Sequence, residues 1–206
     1  MIGHAQGAVA LQNVVRAAAK LGVKTLTVYT FSTENWSRSE EEVDTLLRLL
    51  KKNLLDLRGM MVEEGVRFET IGNLARFPND LLEELYATKE ATKEGKQIEL
   101  VLAMNYGGRD EICRAVKTIL EDLAKGEFKD LNLTESTFAR YLDTSKWKDP
   151  ELFIRTSGEK RLSNFLLWQL SYSEVYITEV LWPDFDEKEL NRAIIDFQKR
   201  ERRCGK

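Results

Sequence analysis

Histidine is nearly absent from this 206-residue chain. His4 is the only one, which excludes any multi-histidine metal centre. Cysteine is almost as scarce. Cys113 and Cys204 lie far apart, one in a helix-like segment and one in a charged tail, and neither sits in a metal or redox motif. Reduced thiols and a cytoplasmic setting follow. A surplus of positive charge is also missing: 31 Lys and Arg against 34 Asp and Glu leave a net charge of −3. No global basic field therefore draws nucleic acid, and any phosphate binding must be local. No apolar run approaches the roughly 18 residues of a spanning helix, and no signal peptide is visible, so a membrane link would be peripheral. Repeats and low-complexity linkers are absent as well, which leaves one domain over residues 1–206 with ample length for a core.

What is present alternates. Val9, Leu11, Val14, Val15, Ala18 and Leu21 follow helical spacing up to Gly22, a stop signal. The β-branched and aromatic run 25–31 reads as a strand, and 32–38 as a polar loop carrying one indole, Trp36. Ser39 with Glu42 forms a capping box for a helix whose apolar face, Val43 to Met61, is wider than one seam needs. Strand 66–71, helix 81–93, strand 98–104 and helix 110–123 follow, the last with Ile112, Val116, Ile119 and Leu120 facing inward. A short helix covers 138–142, a final strand 175–182, and a last helix 190–200. Strands alternating with helices predict an α/β fold, a mostly parallel central sheet with helices on both faces. A sheet of this kind normally opens with a strand, whereas this chain opens with a helix. The expectation is a missing first strand, five strands in all, and an unpaired gap or exposed edge.

The segment 152–168 carries the densest chemistry. Phe153 and Ile154 end a strand, Arg155 and Arg161 bracket a turn holding Thr156, Ser157, Gly158 and Ser163, and the chain turns apolar again from Phe165 to Trp168, read as the start of a helix. Arginine forks and backbone amides at a helix start suit an anion with several oxygens. On composition alone a polar loop with surface arginines fits equally well. Turns after Phe31, Met104 and Ile154 share the carboxyl edge of a parallel sheet, and that convergence of Arg38, Arg109, Arg155 and Arg161 favours the anion site.

Five motifs then act together: Phe31-Ser32-Thr33-Glu34-Asn35-Trp36, Asn105-Tyr106-Gly107-Gly108-Arg109, Arg155-Thr156-Ser157-Gly158-Glu159 leading to Leu166-Leu167-Trp168-Gln169, Ser173-Glu174-Val175-Tyr176, and Leu181-Trp182-Pro183-Asp184-Phe185. In this order, over nearly the whole chain, the sequence resembles the cis-prenyltransferases. The resemblance implies cis-prenyl chain elongation, with isopentenyl diphosphate added to an allylic diphosphate such as farnesyl diphosphate. It implies that Arg155, Arg161 and Ser163 hold the diphosphate of isopentenyl diphosphate, with Leu162 supplying backbone. It makes Glu174 a magnesium ligand, so Mg²⁺ the cofactor. Ser32, Thr33, Glu34, Trp36 and Arg38 become the loop that organises both substrates, and His4 the histidine near the allylic diphosphate. Asn35 matches an asparagine proposed as proton acceptor; a neutral amide is a poor base near pH 7, so positioning is its better role. A dry channel for the isoprenoid would use the face from Val43 to Met61 with Ile98, Leu100 and Leu102, residues that serve equally as plain core. The resemblance further implies a homodimer, with Arg203-Cys204-Gly205 reaching a partner's site or else a charged tail, and peripheral membrane contact through a lipid product.

The chain departs from the family at its start, where the first strand and the Asp-Gly-Asn-Gly-Arg-Trp loop have no counterpart, so no residue takes the role of the family's essential aspartate. Two alternatives stay open: a non-catalytic subunit of the same fold, and a generic phosphate-binding α/β regulator. Retention of Arg155, Arg161 and Glu174 speaks for the enzyme against the first. Trp36 with the broad apolar helix speaks against the second.

Overall fold

The structure, a computed structural model, describes residues 2–127 and 133–201, with backbone alone for 2–5. The side chain of His4 and the segment Arg203-Cys204-Gly205 lie outside the described residues. Helix α1 (Ile2–Lys20) leads through Gly22, whose φ of +80° suits the residue after a helix end, into strand β1 (Thr25–Ser32). Helix α2 (Glu40–Glu63) starts as its sequence predicts: the Glu42 N–H donates to Ser39 Oγ, and the Ser39 N–H to the Glu42 carboxylate, both at 3.4 Å. Three glutamates in its first turn complement the helix dipole. Strand β2 (Val66–Ile71), helix α3 (Asn79–Thr92), strand β3 (Ile98–Tyr106), helices α4 (Gly108–Ala124) and α5 (Glu135–Ala139), strands β4 (Leu152–Arg155) and β5 (Glu174–Ile177) and helix α6 (Glu187–Gln198) complete the order.

Every pairing among the described strands is parallel, but the strands form two sheets rather than one: β1-β3-β2, and β4-β5. Strand β3 is central, and the alternation along it sorts the layers. Ile98, Leu100, Leu102 and Met104 point into a core shared with α1, α2, α3 and α6; Val101, Ala103 and Tyr106 face Phe153, Phe165 and Leu166 on the other side. Strands β1 and β4 are both sheet edges, and a cavity of about 1220 Å³ lies between them. Residues of α2 line this cavity as well.

Three expectations change. The inward face of α4 is Glu111, Ala115 and Ile119, while Val116 and Leu120 are exposed. A buried glutamate reads as polar in sequence and shifted the inferred face by one position. The last strand stops at Ile177 instead of running to 182, and Trp182–Asp184 is a 3-10 turn. No helix follows Asn164. Residues 163–172 form consecutive turns, with φ of +52° at Ser163, +61° at Asn164 and +43° at Leu166, values a right-handed helix does not admit. Phe165 and Leu166 are buried as separate anchors, Phe165 stacked on Tyr29 with ring centroids 4.6 Å apart.

Candidate active site

At the carboxyl end of β1 the chain tightens into a 3-10 turn, Thr33–Ser37. The Asn35 side-chain carbonyl accepts the Ser32 N–H at 2.7 Å, and Ser37 Oγ donates to the Glu34 carbonyl at 2.7 Å. Asn35 thus uses its oxygen to close the turn. Trp36 stands against Phe31 and Phe77 at 5.0 and 5.8 Å between ring centroids, with the Arg76 guanidinium 4.1 Å over its face. Its indole N–H donates to Asn105 Oδ1 at 2.8 Å, and Asn105 Nδ2 passes the chain on to the Asn73 carbonyl at 2.6 Å. Arg38 is exposed and pairs with no carboxylate among the described residues. Glu34 accepts from Asn164 Nδ2 at 2.8 Å and from Thr33 Oγ1 at 3.2 Å. Partial burial pushes its carboxyl up, but the hydrogen bonds from Asn164, the backbone, Ser32 and Thr33 together outweigh that and hold it below the usual range.

Strand β4 delivers the second set. Arg155 ends it and reaches Ser163 Oγ through Nη2 at 3.4 Å, while its Nε is buried with no hydrogen-bond partner. The turn beyond is locked to the segment after β5: the Ser157 N–H donates to the Val180 carbonyl at 2.9 Å and that of Gly158 to Thr178 at 2.8 Å. Arg161 projects into solvent and, among the described residues, pairs with Glu159 alone. Leu162 is exposed, and its carbonyl accepts the Phe165 N–H at 3.2 Å. Since no helix begins at 164, no helix dipole adds to this turn; its cations and hydroxyls act alone.

Of the sequence-derived site residues, the structure brings Glu34 to the β4 turn through Asn164, and sets Arg155 beside Ser163. Glu174 does not join them. It starts β5, in register with Leu152, whereas Arg155 pairs with Ile177 at the other end, a strand rise of about 10 Å away. There it accepts from Arg200 Nη1 at 2.8 Å. Among the described residues no three Asp, Glu, His or Cys side chains converge as a metal site.

Behind the two loops lies the cavity. Phe31, Arg155 and Thr156 line it, and so do Leu50, Leu54 and Leu57 of α2. Leu100 and Leu102 line it too, whereas Val43 and Ile98 belong to the packed core alone. A cation-bearing turn therefore adjoins a cavity that α2 and β3 line with leucines, an arrangement suited to a molecule with an anionic head and a hydrocarbon tail.

Sequence reasoning passed over three residues here. Asn164 joins the loops, and Tyr29 stacks on Phe165 while donating to the Tyr106 carbonyl at 2.9 Å. Burial and the nearby Glu34 push the Tyr29 phenol up to about 12, so it remains a donor at neutral pH. Gln169 is buried and donates to Glu111 at 3.0 Å and Thr144 at 2.8 Å. For Asn164 a signal existed: asparagine is the non-glycine residue best suited to a left-handed turn.

The family model described as "Putative undecaprenyl diphosphate synthase" matches residues 1–205. An isoprenyl transferase of Clostridium perfringens is 44% identical over 204 residues, which cover 99% of this chain and 81% of the relative. Among solved structures, lavandulyl diphosphate synthase from Lavandula x intermedia, in complex with dimethylallyl diphosphate, superposes with a TM-score of 0.94 at 34% identity, covering 98% of this chain and 88% of that one. A probable undecaprenyl diphosphate synthase of Campylobacter jejuni gives 0.87 at 36% identity, covering 98% and 93%. Likeness of this extent, in sequence and backbone together, leaves one assignment: the chain belongs to the cis-prenyltransferases and is a prenyltransferase enzyme of prenyl chain elongation.

Proposed function

We propose that this chain adds isopentenyl diphosphate to an allylic diphosphate, farnesyl diphosphate by the family resemblance, and houses the growing polyprenyl chain along the part of the cavity that α2 lines with Leu50, Leu54 and Leu57. The observation that carries this reading is Arg155: a guanidinium at the cavity wall, beside a serine hydroxyl, with a buried Nε that has no protein partner. A buried donor without a partner is costly, and a diphosphate oxygen would satisfy it. Ser163 supplies a hydroxyl to the same head group, and Arg161, held only by a surface pair with Glu159, is available to add a second cation.

In the reaction the allylic carbon–oxygen bond opens and diphosphate departs with the electron pair. The double bond of isopentenyl diphosphate forms the new carbon–carbon bond, and a proton passes to the departing diphosphate or to water, which restores a double bond. The protein's part is electrostatic and positional: arginines stabilise diphosphate oxygens, and the apolar chamber keeps water from the cationic carbon. Asn35 shapes the β1 turn, and its carbonyl, engaged by the Ser32 N–H, does not act as a base. The described residues do not make a magnesium cage by themselves. Mg²⁺ keeps most of its ligands as water and substrate phosphate and needs only one or two carboxylates. The carboxylates at the loops are Glu34, Glu159 and Glu179, with Glu174 set at the far end of its strand, and such a carboxylate would hold the ion. When bound, the ion would neutralise departing diphosphate charge.

The test incubates the chain with radiolabelled isopentenyl diphosphate, farnesyl diphosphate and Mg²⁺ and extracts lipid into butanol. Incorporation that falls with Arg155→Ala supports the reading. Binding of isopentenyl diphosphate without any incorporation, in a chain extended at its amino end by the family's Asp-Gly-Asn-Gly-Arg segment, would assign it to the non-catalytic alternative.

A further inference from the structure

Asn164 occupies a place that neither the motif pattern nor the proposed substrate contacts account for. Its side chain spans two loops: Nδ2 donates to Glu34 Oε1 at 2.8 Å, after β1, and Oδ1 accepts the Arg109 N–H at 2.9 Å, after β3. Its main-chain carbonyl accepts the Gly108 N–H at 2.6 Å. Gly108 and Arg109 open α4, and their N–H groups are among those a helix leaves unsatisfied. The residue before them, Gly107, has no side chain to cap them. Asn164, 55 positions further along the chain, does so instead.

The glycines make the landing possible. A Cβ on Gly107 would lie 2.5 Å from Thr33 Oγ1 and 2.7 Å from Asn164 Nδ2, and one on Gly108 would lie 2.8 Å from Leu167 Cγ. The amino end of α4, a natural anion site in the abstract, is thus already filled by protein oxygens. What this contact controls is the residue next door. Ser163 sits at φ +52° and Asn164 at +61°, and Ser163 Oγ is the atom that Arg155 Nη2 approaches. The turn that presents Ser163 is held in a sparsely populated conformation by a clamp one residue away.

We propose that Asn164 is the positioning residue of the diphosphate site: by capping α4 and gripping Glu34 it fixes Ser163 opposite Arg155, and so sets affinity for isopentenyl diphosphate without touching it. This rests on the reading of Arg155 and Ser163 given above. It assigns Gly107-Gly108-Arg109 a docking role in place of phosphate binding, and it makes the loops after β1, β3 and β4 one mechanical unit.

Asn164→Gly tests it directly. Glycine keeps the left-handed backbone and the carbonyl that caps Gly108, and removes only the amide. Calorimetric titration with isopentenyl diphosphate in magnesium buffer is expected to show affinity at least tenfold weaker, with the melting temperature lowered by only a few degrees. A merely structural role would move melting and leave affinity alone, and that result overturns the proposal. Asn164→Asp gives a second, independent arm. It sets a carboxylate against Glu34, and adding Glu34→Gln to the same chain restores the bond with donor and acceptor exchanged. Asn164→Asp alone is expected to weaken binding at least tenfold, while the double variant should match Glu34→Gln alone within about threefold. A double variant that binds as poorly as Asn164→Asp overturns the proposal. If the unaltered chain fails to bind isopentenyl diphosphate, the diphosphate site itself falls, a result distinct from variants and parent binding alike.

Discussion

The two loops that flank the cavity mouth use their polar groups in opposite ways. After β1, the side chains of Asn35 and Trp36 are committed to protein, Asn35 to the Ser32 N–H and Trp36 to Asn105 of β3, which in turn holds Asn73. After β4, among the described residues, Arg155 keeps a buried Nε with no partner, and Arg161 is held at the surface by Glu159 alone. The inner part of the first loop, around Asn35 and Trp36, is saturated, while Glu34 and Arg38 stay at its exposed edge; the second loop retains unmet donors. The difference separates scaffold from ligand site inside a region whose motifs look equally functional in sequence. It also ranks the consequences of mutation. Changes to the saturated loop should register in stability, changes to the unsaturated one in binding.

The largest effect is expected beneath both loops. Glu111 is buried on α4 and accepts from Tyr106 Oη at 2.6 Å, Gln169 Nε2 at 3.0 Å and the Asp143 N–H at 2.9 Å, so it ties β3 to the segment that carries the β4 turn. Arg114 braces the same corner through a bidentate pair with Asp143 at 2.7 and 2.8 Å. Glu111→Leu would strand three donors and should cost about 3–5 kcal/mol in denaturant unfolding, collapsing the distinction between the loops because both lose their footing. Its titration gives a finer check. Burial, chiefly, raises the Glu111 carboxyl above its ordinary value against the lowering effect of Gln169 and Tyr106. The unfolded chain therefore gives up this proton first. The contribution of Glu111 is complete below about pH 4.3 and declines as pH rises toward the higher folded value. Comparing unfolding free energies from pH 4 to 7, the parent should show this decline and Glu111→Gln should lack it; equal slopes would mean that Glu111 is ionised in the fold.

Arg155→Ala comes next and is the sharpest test of the contrast. Losing charge-assisted hydrogen bonds to a diphosphate removes about 2–3 kcal/mol, or roughly 30- to 150-fold in affinity for isopentenyl diphosphate. Stability should change little, because the guanidinium makes a single long contact with protein, at 3.4 Å to Ser163. An unchanged affinity would mean that the unmet Nε reflects the fold and not a ligand.

The same contrast explains what could be read from sequence. Strand β3 was legible because its near-continuous apolar run, Ile98 to Tyr106, is buried on both faces, as a central parallel strand must be. The start of α2 was legible because Ser39 and Glu42 form a local cap that needs no distant partner. Arg155 and Ser163 stand out in sequence by residue type alone, while their diphosphate role comes from the family resemblance. The illegible parts depend on contacts between remote segments. Phe165, Leu166 and Trp168 imitate a helix start, yet each is drawn to a different neighbour, Phe165 to Tyr29 and Trp168 to Phe138. Glu111 hid the inner face of α4 because its three donors come from three other segments, and Asn164 reads as a loop residue until Glu34 and Arg109 are placed beside it. Local signals predicted local structure, and the site was built mainly from non-local bonds.

The smallest effect should come from Trp36→Phe, which probes the saturated loop by itself. Phenylalanine keeps the aromatic packing on Phe31 and Phe77 and a face for Arg76, but it loses the 2.8 Å bond to Asn105. Asn105 sits at φ +47° and keeps its two bonds with Asn73, one from its side-chain amide and one to its carbonyl, so only part of its support goes. The expected loss is about 1–1.5 kcal/mol of unfolding free energy, seen as a melting temperature lower by a few degrees. Affinity for isopentenyl diphosphate should stay within about threefold of the parent, since the indole N–H already points into protein. If instead affinity falls as far as in Arg155→Ala while melting is unmoved, Trp36 contacts the substrate, and the loop after β1 is as much a ligand surface as the one after β4.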